Sequence, residues 1–116
     1  MILGIQGTRK FDDYNIFLRS MHTALSEMST EDKSITIYSA GTANINSMAT
    51  EFTNISERSL KARGIRIRLL KLSPNMLLDK INELDYLVIL CKPGERTPDS
   101  VSIAEENGID VGIYRY

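Results

Sequence analysis

Short apolar segments typical of β-strands alternate with segments of helical periodicity along the whole of this chain. The five segments that we predict as strands are Met1–Gln6, Ser34–Ser39, Ile65–Leu70, Tyr86–Cys91 and Asp110–Tyr114. The four helical segments between them run from about Tyr14 to Met28, Ile45 to Arg63, Pro74 to Leu84 and Pro98 to Asn107. Strict alternation with short connections favours a parallel sheet with right-handed crossovers and helices on both faces. We therefore predict an α/β fold of three layers.

The order of the strands follows from how each one is patterned. Tyr86–Cys91 is apolar throughout, as in a central strand covered on both faces. In Ile65–Leu70, Arg66 and Arg68 alternate with aliphatic residues, which indicates a partly solvated strand at an edge. We predict a single Rossmann-like domain over residues 1–116, with a five-stranded parallel sheet in the order 3-2-1-4-5 and four helices. Ligands of such sheets bind beyond the carboxyl ends of the strands, where the strand order reverses.

Composition narrows the possible partners and the compartment. Fourteen basic residues against 15 acidic residues give a net charge of −1, so a duplex-binding surface is not indicated and nucleic acid is an unlikely partner. A small anionic ligand needs only backbone amides and one or two basic side chains. The single cysteine, Cys91, excludes an intramolecular disulfide and suits a reducing compartment. No apolar run reaches membrane-spanning length, so we expect a cytoplasmic protein without a membrane partner.

Three loops should meet at the carboxyl edge of the sheet if the first strand is central: Gly7–Phe11, Ala40–Ser47 and Lys92–Ser100. In the second loop, a strand ends in a glycine turn and a helix follows. The first amides of that helix have no partner within it and are available to an anion. The ligand-binding candidates in the three loops are Gly7, Thr8, Arg9, Gly41, Thr42, Asn44, Asn46, Arg96, Thr97 and Ser100.

Each candidate also has an ordinary structural interpretation. The fork of Arg9 can donate two parallel hydrogen bonds to a phosphate, but an arginine at a loop tip can equally be solvated. Either Asn44 or Asn46 could serve as the N-cap of the second helix. Thr97 is predicted to cap the fourth helix and to face the same ligand as Gly41. Together the three loops point to an anion site more strongly than any one of them does.

Catalytic candidates are few. Glu95 and Asp99 are carboxylates in the third loop that could support acid–base chemistry, but their spacing alone assigns no role. His22 is predicted to face solvent from the middle of a helix, and no second histidine exists to form a histidine-rich metal site. Cys91 has no identifiable base beside it, which favours a structural thiol. We predict no metal and no cofactor.

Three stretches resemble the SLOG superfamily of small Rossmann-like proteins. The opening Ile2–Tyr14 resembles the pattern G-S-R-x-F-x-D-Y, and Ser39–Ala49 is similar to S-G-G-A-x-G-A-D-x-L-A. The segment Thr97–Val111 resembles G-T-x-x-x-I-x-x-A-x-x-x-G-I-P-V. The superfamily includes the lonely-guy cytokinin phosphoribohydrolases, the lysine-decarboxylase-like proteins and DNA-processing protein A. The resemblance implies a homodimer and a pocket for a nucleotide or nucleotide-derived ligand, lined by Gly7, Thr8, Arg9, Gly41 and Thr97.

The chain departs from the enzymatic branch of that superfamily at its third loop. That branch has P-G-G-x-G-T-x-E-E with a catalytic glutamate, whereas Pro93–Ser100 here lacks the paired glutamates and has Arg96 in place of a glycine. Asn44 likewise replaces a glycine, and Asn46 stands where an aspartate is usual. We therefore predict that the protein binds its nucleotide for sensing or sequestration, without strong catalysis. The alternatives are a nucleotide N-glycosidic hydrolase, with Glu95 or Asp99 replacing the usual glutamate, and a protein-interaction module on the same fold.

Overall fold

Five parallel strands form one sheet in the computed structural model, which describes residues 1–116. The strands are β1 (Ile2–Gly7), β2 (Ser34–Gly41), β3 (Arg66–Leu72), β4 (Tyr86–Cys91) and β5 (Asp110–Arg115). They lie in the order β3-β2-β1-β4-β5, and each neighbouring pair is parallel. The predicted strand order is therefore confirmed, with β1 at the centre and β3 at one edge.

Helices cover both faces of the sheet and complete the predicted three layers. They are α1 (Tyr14–Leu25), α2 (Ala43–Ala62), α3 (Pro74–Asp79) and α4 (Ser100–Glu106), with a 3₁₀ turn at Ile81–Glu83. Apolar residues of α1 and α2 pack with Leu3 and Ile5 of β1 in one core. Apolar residues of α3, the 3₁₀ turn and α4 pack with Leu87 and Ile89 of β4 in a second core on the other face. None of the helices combines the length and apolar character that crossing a membrane requires.

Several helix ends differ from the predicted ones because local hydrogen bonds decide them. The first helix was predicted to reach Met28, but it ends at Leu25. After Leu25 the amides of Glu27 and Met28 bond the carbonyls three residues earlier, which gives turns instead of α-helix. The fourth helix begins at Ser100 and not at Pro98, because the Val101 amide donates to the Pro98 carbonyl and forms a turn before the helix.

The third predicted helix also ends earlier than its apolar residues suggested. It stops at Asp79, and the Lys80 amide donates to the carbonyl of Leu77, three residues back. A 3₁₀ turn then continues the segment as far as Glu83, so its apolar residues Ile81 and Leu84 are still buried. A segment with one apolar pattern therefore contains two kinds of helix.

The arrangement brings the ends of β1 and β2 together at the carboxyl edge of the sheet. Gly7, the last residue of β1, is paired in register with Gly41, the last residue of β2. β2 and β3 lie on one side of β1, and β4 and β5 lie on the other. The strand order reverses between β1 and β4, so this pair of strand ends lies beside the switch point at which a parallel sheet of this kind offers a ligand crevice.

Candidate functional site

An open pocket lies at the carboxyl ends of β1 and β2. Its volume is about 660 Å³, within the range of small-molecule sites. Its wall consists of Gln6, Gly7, Arg9, Gly41, Thr42, Ala43, Asn44 and Pro74. The wall thus contains Gly7, Arg9, Gly41, Thr42 and Asn44, all of which are candidates from the sequence. We call this the strand-end pocket.

Two glycines form the floor of the strand-end pocket, and neither has room for a larger side chain. Gly41 has φ of +133°, a conformation that residues with a Cβ rarely adopt. A Cβ on Gly41 would lie 3.1 Å from the carbonyl oxygen of Gly7. A Cβ on Gly7 would overlap the buried side chain of Ile45. Both glycines therefore offer only main-chain atoms to the pocket, and at Gly7 the packing of Ile45 requires the glycine.

The N-terminus of α2 supplies the polar wall of the pocket. Thr42 is the N-cap, and its hydroxyl oxygen accepts from the Ile45 amide at 3.5 Å, so neither Asn44 nor Asn46 has that role. The amides of Ala43 and Asn44, the first two residues of α2, have no acceptor inside the helix. They lie at the positive end of the dipole of a 20-residue helix. This end of the pocket therefore favours a negatively charged group.

Arg9 adds the one formal charge in the pocket wall. Its side chain is exposed and forms no ion pair, and its backbone carbonyl accepts from the Asn44 side-chain amide at 3.5 Å. That bond links the loop after β1 to the start of α2. No carboxylate lines the pocket. An anion placed there would meet helix amides and a guanidinium without a competing negative charge.

Three of the predicted ligand-binding residues are engaged in internal hydrogen bonds and do not line the pocket. Thr8 donates from its hydroxyl to Glu95 Oε1 at 2.6 Å, and Asn46 Oδ1 accepts from the Ser39 hydroxyl at 2.7 Å. The Ser100 hydroxyl, which is buried, donates to Gln6 Oε1 at 2.6 Å. Because Gln6 does line the pocket, Ser100 lies behind the wall and holds one of its side chains in place.

The remaining two candidates, Arg96 and Thr97, lie in the loop between β4 and α4 and outside the pocket. The Arg96 side chain is 91% exposed and stands 3.9 Å from Asp99 Oδ1. The prediction that Thr97 caps α4 is wrong. Asp99 occupies the boundary in a helical conformation, and no side chain makes a cap bond there. Thr97 stands two residues before that boundary, because the Pro98–Val101 turn separates it from the first amides of the helix.

Glu95 ties two of the loops together. Its Oε1 accepts from the Thr8 hydroxyl at 2.6 Å and from the Lys92 amide at 2.7 Å. These hydrogen bonds stabilise the charged carboxylate and hold the pKa of Glu95 below its ordinary value of 4.5. Thr8 is fixed further by its own amide, which donates to the Leu90 carbonyl at 3.0 Å. Glu95 is thus an ionised brace between the first and third loops.

The two other reactive side chains lie away from the pocket wall. Cys91 is buried at the end of β4, and that burial raises the pKa of its thiol, so the reactive thiolate is disfavoured. His22 is exposed on α1, as its helical position predicted. No group of three or more histidine, cysteine, aspartate or glutamate side chains is arranged to hold a metal ion.

Two wall residues, Gln6 and Pro74, were not among the sequence candidates. Gln6 is a polar residue near the end of an otherwise apolar strand, and that exception is a signal that could have indicated a role. Pro74 begins α3 and reaches the pocket because β3, which precedes it, is paired with β2. Only the tertiary arrangement places it there.

No family model, curated protein or solved structure matches this chain.

Proposed function

We propose that this protein binds a nucleotide or nucleotide-derived ligand in the strand-end pocket and acts as a sensor or a sequestering protein. One observation carries the proposal. Free amides at the start of α2, the Arg9 guanidinium and a bare glycine floor line one pocket that contains no carboxylate. Helix N-termini bind phosphate through amides and dipole together, and arginine binds phosphate through paired hydrogen bonds.

The remaining wall suits the uncharged part of such a ligand. Gln6 and Asn44 bring side-chain amides, which can donate to and accept from a ribose or a base. Oε1 of Gln6 is occupied by the Ser100 hydroxyl, so its NH₂ group is the part left for a ligand. The volume of about 660 Å³ is large enough for a nucleoside monophosphate. The pocket lies at the carboxyl edge of the sheet, beside the switch point between β1 and β4 where folds of this type hold nucleotides.

Membership of the SLOG superfamily is part of this proposal. It is supported by the sequence motifs, two of which run through residues that form the floor and wall of the pocket, Gly7, Arg9, Gly41 and Asn44. The homodimer implied by the same resemblance is proposed with it. The third motif begins at Thr97, outside the pocket, and supports the proposed membership less than the other two.

Hydrolysis of an N-glycosidic bond is less well supported than binding. A general acid or base must come within hydrogen-bond reach of the reacting atoms. Glu95 is occupied by Thr8 and Lys92, and Asp99 has a side chain that is 82% exposed beside Arg96. Neither carboxylate lines the pocket. No feature of the strand-end pocket specifically favours a protein-interaction module.

Calorimetric titration tests the proposal and its hydrolytic alternative together. The ligands are AMP, GMP, CMP and UMP. Adenosine, which lacks the phosphate, and ribose 5-phosphate, which lacks the base, serve as partial ligands. We expect at least one nucleotide to bind, ribose 5-phosphate to bind more weakly, and adenosine to bind weakest because it has no anion. Absence of binding by all the nucleotides would contradict the proposal. Release of free base during incubation, followed by chromatography, would instead support the hydrolase.

A further inference from the structure

The basic residues of this chain are concentrated at one edge of the molecule. Residues 58–71 hold six of the 14 basic residues and none of the 15 acidic ones, which leaves eight basic residues and a net charge of −7 elsewhere. The six are Arg58, Lys61, Arg63, Arg66, Arg68 and Lys71. The first three lie at the end of α2, and the others lie on β3, the edge strand against which α2 packs. We call these six residues the cationic edge.

The charges of the cationic edge have no anionic partner within the molecule. All six side chains are exposed, and none of them takes part in an ion pair. A single side-chain hydrogen bond involves the group, from Arg68 Nε to the Thr36 hydroxyl at 3.4 Å. Close like charges repel one another, so an anionic partner would relieve a cost that the free protein carries.

The backbone of β3 is open along the same edge. β3 pairs only with β2, and the Arg66 amide donates to the Lys33 carbonyl on that side. Backbone groups of alternate residues point to opposite sides of a strand, so those of Ile67, Leu69 and Lys71 point outward. An unpaired strand edge of this kind can accept a further strand from another chain.

We propose that the cationic edge binds an extended acidic segment of a partner protein, which adds to β3 as a sixth strand. Acidic side chains on alternate residues of such a segment repeat every 7 Å or so (about 3.3 Å per residue), the same spacing that separates Arg66 from Arg68. Opposite charges on neighbouring strands attract, and the backbone hydrogen bonds add affinity. None of the six residues lines the strand-end pocket, so this proposal does not depend on the proposed function.

Two other occupants fit the edge less well. A second copy of the chain pairing through β3 would bring Arg66 and Arg68 close to the same cations of its partner. Single-stranded nucleic acid is held by aromatic side chains as well as by charge, and residues 58–71 contain no aromatic residue. The opposite edge, β5, has one acidic and one basic residue and offers no comparable charge.

Fluorescence anisotropy with a labelled eight-residue peptide that alternates Glu and Thr tests the charge component. We expect binding at low salt that weakens as salt rises, and none for the matching Lys–Thr peptide. Arg66→Glu should weaken binding about three- to tenfold, since it replaces attraction by repulsion across the strands. Arg19→Glu makes the same change of charge on α1, where the side chain is also exposed, and should leave the affinity unchanged. Equal affinity for all three proteins would overturn the proposal.

Two further arms separate strand addition from simple charge attraction and from nucleic-acid binding. Versions of the peptide N-methylated on alternate amides, in either of the two possible phases, remove the donors on one side of the strand. One phase should lose binding and the other should keep it. Unchanged binding by both would rule out strand addition, as would tighter binding of a labelled oligo-dT that is lost in Arg66→Glu. Arg68→Glu, on the same face of β3 as Arg66, repeats the charge test if Arg66→Glu proves unfolded by its amide NMR spectrum.

Discussion

Gly41 and Gly7 lie side by side at the ends of their strands, and this contact leads to the sharpest prediction at the scale of single residues. Gly41→Val places a β-branched side chain in a backbone conformation that such residues avoid, with its Cβ 3.1 Å from the Gly7 carbonyl. We expect a loss of roughly 1–3 kcal/mol in the free energy of unfolding. Nucleotide binding should fail as well, because the side chain enters the pocket floor. Chemical denaturation and calorimetry measure the two effects.

Gly108→Val is the matched control for that substitution. Gly108 also has a positive φ, of +72°, but a Cβ there would meet no atom within 4 Å. We expect a cost to folding of about 1–2 kcal/mol from the backbone alone and no change in affinity. If both variants bound a nucleotide with native affinity, the pocket would not lie at Gly41.

Arg9 should contribute to affinity without contributing to folding. Its side chain is exposed and unpaired, so Arg9→Ala is expected to unfold at the same denaturant concentration as the wild type. The loss of a charged contact to phosphate should weaken nucleotide binding roughly tenfold to a hundredfold. Arg96→Ala, outside the pocket, is the control and should bind normally. Unchanged titration curves for Arg9→Ala would remove Arg9 from the site.

Residue type and loop position were enough to predict part of this site but not all of it. Gly7, Arg9 and Gly41 were predicted from glycine turns and an arginine at strand ends, and all three line the pocket. Thr8 and Ser100 look equally suitable in the sequence, yet each bonds a residue far along the chain, 87 and 94 positions away. Such pairings depend on how the strands meet, which no local pattern shows.

At the scale of elements, Glu95 joins the loop after β1 to the loop after β4, and this bond makes the stability depend on pH. The pKa of Glu95 is lower in the folded protein than its ordinary value of 4.5. Its contribution to stability is therefore complete above about pH 4.5 and is lost as the pH falls through the lowered value. We expect Glu95→Gln to lose less free energy of unfolding than the wild type on acidification below pH 4.5. If the wild type and Glu95→Gln lost the same free energy of unfolding between pH 5 and pH 3, this role of Glu95 would be excluded.

Elements were easier to predict than their ends. Hydrophobic periodicity depends on which face is buried, so it located every strand and helix, including the partly solvated edge strand β3. Helix ends depend on single hydrogen bonds. Because Thr42 is the N-cap, α2 begins at Ala43 and not at the predicted Ile45. Because Pro98–Val101 forms a turn, α4 begins at Ser100 and not at the predicted Pro98. Several nearby polar residues could serve as the cap, and the sequence does not choose among them.

At the scale of the whole molecule, the proposed homodimer gives a prediction that needs no ligand. Light scattering coupled to size exclusion should report twice the chain mass of 13.1 kDa. Because the cations of β3 would repel a second β3, the dimer should persist in Arg66→Glu. A mass of one chain across the accessible range of concentration would contradict the homodimer and leave the pocket proposal untouched.

Mapping of nucleotide-induced shifts in the amide NMR spectrum tests the central claim most directly, because it reports binding and its location together. The protein is titrated with an equimolar mixture of AMP, GMP, CMP and UMP. The account predicts that the largest shifts belong to Gly7, Gly41, Ala43 and Asn44, with Gly108 unmoved, and that Arg9→Ala reduces them at equal ligand. A spectrum that does not change, or shifts centred on Arg66 and Arg68 of the cationic edge, would contradict a nucleotide site in the strand-end pocket.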